Sequence, residues 1–405
     1  MAGGSKSRKK PLGGLRSIGS LRPGAMPVAI DFGAGSIKAL QLSPGNPESL
    51  VAAAELQTPE DCLYDPAKRI QYQIDALPKL IKKAKFKTQR AVCAIPSPLL
   101  FCKHLQFQKS DGVSTEDMLN AALPRQIGCD PSMLLTRHFE VEQTARAGRT
   151  EVICFSAGRE LVARLMHAIK AAKLEPVGIH NEFTALLRAF APRDGDASEQ
   201  DKTTLYVDLG RVSTNVMIAR AGRMLFARTI GFGGLQLDQA ITGQLKCSLS
   251  QARAQRLALT SLRPGADGAQ DDAPVEGQPT VCEPADRAET PIASPATATV
   301  SRVTHQIDLS EPLEILVDEI SMCLRYQRSL MPDAPVERAV FVGGESRHRP
   351  LCAEIARALR LPAQGGDPMT RIARSGSEAC VDVDLSQAQP GWAVALGMCL
   401  SPTDL

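Results

Sequence analysis

Apolar and polar positions begin to alternate at Pro27. "VAIDF" is an apolar run stopped by Asp31, "GAGS" has the composition of a turn, and "IKALQLS" resumes the period of two, so a hairpin is predicted. Over 66–84 the period lengthens. Ile70, Ile74, Leu77, Leu80 and Ile81 recur at helical spacing, which predicts an amphipathic helix kinked at Pro78. "RAVCAIPSPLLFCKHLQF" then predicts strand, turn and strand. "STEDMLNAALPRQI" opens a helix with Ser114 three residues before Asp117, the spacing of a capping box. "LLTRHFEVEQ" and "TEVICFSA" form a second hairpin about "ARAGR", followed by the helix "RELVARLMHAIKAAKL" and the strand "EPVGI". Residues 88–180 therefore read as a small α+β unit.

A helix capped by Asn181 follows in "NEFTALLRAF", and "PRDGDASEQDK" is a polar connector. The stretch "TLYVDLGRVSTNVMIARAGRMLFARTIGFGG" predicts three strands, the last two joined at Ala221-Gly222-Arg223. Helices are expected in "EPLEILVDEISMCLRYQRSL", at 348–360 and near 391–400, with a strand in "RAVFVGGES". Two segments lack the apolar content to offset ordering entropy: a Gly/Ser-rich leader at 1–26 carrying "KSRKK", and a Pro, Ala, Thr, Asp and Gly-rich insertion at 261–308.

Composition narrows the class. A net charge of +3 over 405 residues implies no nucleic-acid or membrane partner, and the basic "KSRKK" reads as a solvated leader sooner than as a contact for anionic lipid or nucleic acid. No apolar run approaches the ~18 residues that span a bilayer. Eleven cysteines without a CxxC pair read as reduced, buried thiols rather than a zinc site or a disulfide framework. His104, His138 and His167 fall within strand or helix patterns and read as structural, as does Trp392 in the terminal helix.

One motif occurs twice. "AIDFGAGSIK" and "YVDLGRVSTN" place an Asp, a Gly and a Ser at the same spacing: Asp31, Gly33 and Ser36, then Asp208, Gly210 and Ser213. This predicts two similar lobes. A strand ending in a Gly/Ser turn presents successive N–H groups to an anion, and glycine allows close approach. Gly35, the hydroxyls of Ser36, Ser213 and Thr214, and the charge of Lys38 complete a phosphate cradle. Asp31 and Asp208 would then serve magnesium through its waters. Gly343-Gly344 after the strand "VFV" would let a base or ribose lie against the backbone. Each hairpin alone reads sooner as a tight turn with a surface Asp; the matched pair favours a polyphosphate clamp. No Walker pattern occurs.

These hairpins, with "VFVGGES", resemble the actin, Hsp70 and sugar-kinase ATPase superfamily. Together with "AIPSPLLFCKHLQF", "EPVGIHNEFTALLRAF" and "AVFVGGESRHRPLCAEIARAL" they are similar to the PilM family of type IV pilus assembly proteins and its relative FtsA. The resemblance implies an α/β, actin-like ATPase fold of two lobes related by duplication, with a 1C subdomain of the SHS2 type. Subdomain 1A would span 27–87 and 181–202, 1C 88–180, 2A 203–235 and 335–405 with the C-terminal helix, and 2B 236–260 and 309–334. It implies ATP and Mg2+ between the lobes, with weak or absent hydrolysis. Arg253, Arg256 and Ser346 would join Gly343 and Gly344 at the nucleoside, because "QARAQR" sets Arg253 where the family carries a Glu and Arg256 near its Lys. Leu235 replaces another family Glu. The implied partner is the cytoplasmic N-terminal tail of a PilN-like inner-membrane protein, held in a groove beside 1C, with Arg125 and Arg137 near it. The protein would then be cytoplasmic, peripheral at the inner membrane through that partner, and open to homo-oligomer formation. A nucleotide-free adaptor, a filament former and a small-molecule kinase are the alternatives on the same fold.

Overall fold

A computed structural model describes residues 26–108, 112–141, 149–191, 201–262 and 307–401. The leader up to residue 25, the "ARAGR" turn up to 148, most of the polar connector (192–200) and the insertion from 263 to 306 lie outside the described residues.

The chain opens with the expected hairpin, β1 (Val28–Phe32) and β2 (Ser36–Ser43), and adds a third antiparallel strand, β3 (Ser49–Gln57). Helix α1 (Pro66–Ala84) is started by Asp65, whose carboxylate accepts the amides of Ala67 and Lys68. It continues through Pro78 as one helix. β4 (Arg90–Ile95) lies parallel to β1, and "AVCAI" is buried throughout, as a central strand covered on both faces must be.

A separate layer follows. β5 (Phe101–Gln108), α2 (Thr115–Ile127), β6 (Leu134–Glu140) and β7 (Arg149–Gly158) form a three-stranded sheet in the order β5-β7-β6 with one helix against it. Ser114 caps α2 by accepting the Asp117 amide, as its spacing predicts. The layer has its own small core of Leu105, Leu119, Leu123, Val152 and Cys154. α3 (Arg159–Ala171) then packs on α1, β8 (Glu175–Asn181) pairs parallel to β4, and α4 (Glu182–Ala189) starts at the Asn181 cap.

The expected unit at 88–180 is thereby corrected. β4, α3 and β8 belong to the first lobe, and the independent layer is 101–158. Sequence spacing could not separate them, because a continuous apolar strand looks alike in either sheet.

The second lobe repeats the first. β9 (Thr204–Leu209), β10 (Thr214–Arg220) and β11 (Arg223–Ile230) are antiparallel neighbours. Ala221 and Gly222, at φ +51° and +71°, make the two-residue turn whose twist matches the flanking strands. α5 (Gly234–Leu245), α6 (Leu249–Ala258) and α7 (Ser310–Leu330) follow. β12 (Arg338–Val342) runs parallel to β9, α8 (Arg349–Leu359) comes next, and β13 (Ala363–Gly365) closes the sheet as β11-β10-β9-β12-β13.

The end of the chain does not stay there. β14 (Ala379–Val381) pairs parallel to β3, completing a first-lobe sheet in the order β14-β3-β2-β1-β4-β8, and α9 (Ala393–Cys399) packs on α4 and β1. The assignment of 335–405 wholly to the second lobe is therefore corrected. Val394, Leu396 and Met398 serve the first core. α9 crosses α4 so closely that a Cβ on Gly397 would sit 1.7 Å from the Ala185 carbonyl oxygen, which admits only glycine.

Candidate functional site

Each hairpin turn opens at the C-terminal end of a central strand. In the first lobe Asp31 stands opposite Lys38, and in the second Asp208 stands opposite Asn215. The two turns touch: a Cβ on Gly35 would lie 3.2 Å from the Arg211 Cβ. A single cleft takes in Asp31, Gly33, Gly35, Ser36 and Lys38 from one side. From the other come Asp208, Gly210, Arg211 and Ser213, with Gly343 and Gly344 beside them. The repeated motif is thus one site.

Hydrogen bonds on the outer side set the turns. The Gln73 side-chain amide donates to the Gly33 carbonyl at 2.7 Å, and the Thr58 amide donates to the Gly35 carbonyl at 2.9 Å. In the second lobe Gly234 and Leu235, opening α5, donate to the carbonyls of Gly210 and Arg211 at 3.1 and 2.8 Å. C=O and N–H point oppositely in a trans peptide. Anchoring the Gly33 and Gly210 oxygens outward therefore turns the amides of Ala34 and Arg211, both cleft-lining, the other way.

The floor is acidic. Burial pushes the Asp31 carboxyl up to about 6; Lys38 pulls it down, and Asp208 and Glu55 push it further up. Asp208 is raised by burial against hydrogen bonding from Asn215 and the charge of Lys38. The third acid is Glu182, the first residue of α4. Burial, then the charges of Asp31 and Asp208, carry it to about 8, and the Asn215 amide donates to it at 2.9 Å. Sequence reasoning passed over Glu182. Its signal was a Glu directly after the Asn181 cap, at the end of a strand in the same sheet as β1. Among the described residues no group of three His, Cys, Asp or Glu is set to hold a metal directly.

The second-lobe wall is a buried ion network. Arg256 Nε donates to Asp238 and its Nη2 to Glu345, both at 2.6 Å; Arg211 also pairs with Asp238, and Arg253 reaches Glu345 at 3.2 Å. Burial would raise the Glu345 carboxyl, but Arg256, Arg253 and Arg211 outweigh it and hold it below the usual range. Three guanidiniums against two carboxylates leave one positive charge facing the cleft.

Several expected ligand contacts have internal partners instead. Arg256 is fully buried and committed to Asp238 and Glu345, so of the two arginines only Arg253, with a side chain 36% exposed, faces the cleft. Thr214 donates its hydroxyl to the Phe232 carbonyl at 2.7 Å, and Ser346 donates to the Gly343 carbonyl at 2.8 Å; neither lines the cleft. Ser36 donates to Glu55 at 2.6 Å. Gly343 is needed for its φ of +90° and for its approach to the Leu209 carbonyl, where a Cβ would come within 2.4 Å. The open space lies beside Gly344. Arg211, unremarked in the sequence, is the cation that enters with the second turn.

A magnesium–polyphosphate group fits this cleft on two observations. Buried carboxylates with raised pKa values are costly as anions until a cation joins them. The indole N–H of Trp392, in the wall, is buried without a partner.

The two-lobed arrangement, with equivalent turns facing across one cleft, is the actin-like ATPase fold. The chain is similar over 93% of its length, at 20% identity and a TM-score of 0.67, to the structure described as the PilM-PilN type IV pilus biogenesis complex, covering 98% of that chain. Weaker likenesses are to the ethanolamine utilization protein EutJ of Carboxydothermus hydrogenoformans (13% identity, 94% and 90% covered, TM-score 0.43) and to MreB5 of Spiroplasma citri bound to ADP (12%, 92% and 94%, TM-score 0.44). The family described as type IV pilus assembly protein PilM matches residues 29–260, more than half of the chain. The protein belongs to the PilM family.

Proposed function

We propose that this protein is an ATP-binding scaffold of a type IV pilus or related secretion assembly, gripping the cytoplasmic N-terminal tail of a PilN-like inner-membrane protein. The observation that carries the nucleotide reading is the meeting of two equivalent turns at Gly35 and Arg211 over three buried carboxylates. The amides of both turns, Lys38, Arg211 and Arg253 would hold the phosphates. Asp31 and Asp208 would meet Mg2+ through water, and Gly344 would leave room for the nucleoside. Bound ATP would contribute negative charge and a bridge between the lobes.

ATP would act as a structural ligand that stabilises the closed pair of lobes, with hydrolysis weak or absent.

The three-stranded layer, the counterpart of 1C, suits the tail. β6 is an outer strand of its sheet, and Leu135 and Phe139 on one of its faces are 39% and 38% exposed, with Arg137 between them. An extended segment can add to such an edge by main-chain pairing. No described helix is long and apolar enough to cross a membrane, and this reading places the protein at the inner membrane through its partner.

The internal partners of Arg256, Thr214 and Ser346 favour the nucleotide-free adaptor as the second reading. Titration of labelled ATP with and without Mg2+ separates the two. Wild type should bind with Mg2+, and Asp208→Ala should weaken binding at least tenfold; no binding by wild type establishes the adaptor. Capture of PilN-like tails, lost in Leu135→Asp/Phe139→Asp, tests the partner.

A further inference from the structure

We propose that the outward face of α7 pairs with the same face of a second copy of this chain, the two helices running antiparallel. Leu313, Leu316, Ile320 and Cys323 turn inward to the second-lobe core. The other face carries Ile315, Met322 and Tyr326, which are 51%, 37% and 40% exposed. Ile315, Asp318, Met322 and Arg325 follow one another at intervals of three, four and three residues, the repeat that keeps a seam turned towards a neighbouring helix. No residue of α7 lines the cleft, so the inference is independent of the nucleotide reading.

Charge selects the occupant. Glu314 and Asp318 stand on the N-terminal half of the face and Arg325 and Arg328 on the C-terminal half, all four exposed. Among the described residues none of these four is in an ion pair, whereas neighbouring Glu319 is taken by Arg228 at 2.8 Å. Complementing the helix dipole accounts for charges in the first and last turns only. Asp318 and Arg325 lie more than a turn inside α7 from either end.

A parallel pair would set these charges against their like. In an antiparallel pair about a two-fold axis at Met322, each Met322 meets its copy. Asp318 then faces Arg325 and Tyr326 of the second copy, and Glu314 approaches its Arg328. The two-fold repeats every contact, so opposite charges flank an apolar centre on both sides. The flexible thioether suits such a self-contact. A single helix of 21 residues offers less than the roughly 1,600 Å² that a standard interface buries, so the pair is weak and concentration-dependent. It takes effect where copies are already held close together.

Sedimentation velocity of the full chain across the micromolar range tests it. Wild type should pass from monomer to dimer as its concentration rises. Asp318→Arg and Arg325→Asp should each weaken the dimer about tenfold or more, because symmetry counts each reversal twice. Combining them exchanges the charges and should restore affinity to within about threefold of wild type, a rescue that surface damage does not produce. Melting temperatures show whether the variants are folded; if a reversal is not, Met322→Glu should still abolish the dimer by placing two carboxylates on the axis. Hydroxyl-radical labelling of Met322 should fall as the wild-type dimer forms. A wild type that stays monomeric overturns the proposal, as does a dimer indifferent to both reversals or an exchange variant without rescue. Protection of Met322 that does not change with concentration also overturns it, and assigns the face to another part of the same chain.

Discussion

The two hairpin turns share one backbone plan but are stabilised by different chemistry. In the first lobe the turn is held by neutral donors, Gln73 and Thr58, and the residue opposite its aspartate is a cation, Lys38. In the second, the residue opposite is Asn215, which donates to both Glu182 and Asp208, at 2.9 and 3.3 Å, and the turn's Arg211 is locked into the buried network. Duplication thus preserved where N–H groups point while the surrounding charge diverged. The first hairpin sets a lysine beside its aspartate, and the second sets an arginine embedded in ion pairs.

The sharpest way to break this contrast is to remove the centre of the network. Glu345→Ala leaves Arg256 buried without one of its two carboxylates, and loss of one member of a buried pair costs about 3–5 kcal/mol. Urea denaturation should show a large drop in midpoint.

Next comes pH. Folding raises the pKa of Glu182 to about 8 and of Asp31 to about 6, so in the ligand-free protein the folded state holds protons that the unfolded chain releases near pH 4. Their contribution is fully present below the unfolded pKa and is lost as pH rises through 6 and then 8. Thermal melts should accordingly fall between pH 5 and 8. Glu182→Gln should remove the upper part of that slope, and Mg2+ with ATP should flatten it if cations meet these acids; a wild-type melt that rises across this range would contradict the assignment.

Gln73→Ala is the first-lobe counterpart of Glu345→Ala. It deletes hydrogen bonds to the Gly33 carbonyl and the Thr58 hydroxyl, at roughly 1–2 kcal/mol. A cost equal to that of Glu345→Ala would erase the contrast between neutral and ionic support. The smallest effect is expected of Gly35→Ala, whose Cβ presses on Arg211. Stability should fall by about 1 kcal/mol, the low end of what overpacking costs, whereas the spacing of the turns, read as ATP affinity, should suffer several-fold.

Much of this was legible along the chain because it is local. The alternation around Asp31 and Asp208, the glycines between strands, Ser114 and Asn181 as helix caps, and the turn at Ala221-Gly222 all act within a few residues. The first-lobe identity of β4, β8 and β14 was not, since parallel pairing joins segments far apart and leaves no short-range mark. The same holds within the site. "QARAQR" displays two arginines at helical spacing, and nothing in that stretch says that one is buried and the other faces the cleft. That depends on Glu345, which arrives from beyond the insertion, and on Asp238 from the preceding helix.

Taken alone, the order of amino acids determined two glycine-bearing turns on matched strands, because strand period and glycine conformation are properties of neighbouring residues. Only the tertiary structure decided which charges confront a ligand. A side chain's solvation and ion partners are fixed by whatever distant segments pack around it, and in this protein those segments make Arg256 a structural ion, bring Arg211 and Arg253 to the cleft, and bury Glu182 so that its pKa is raised.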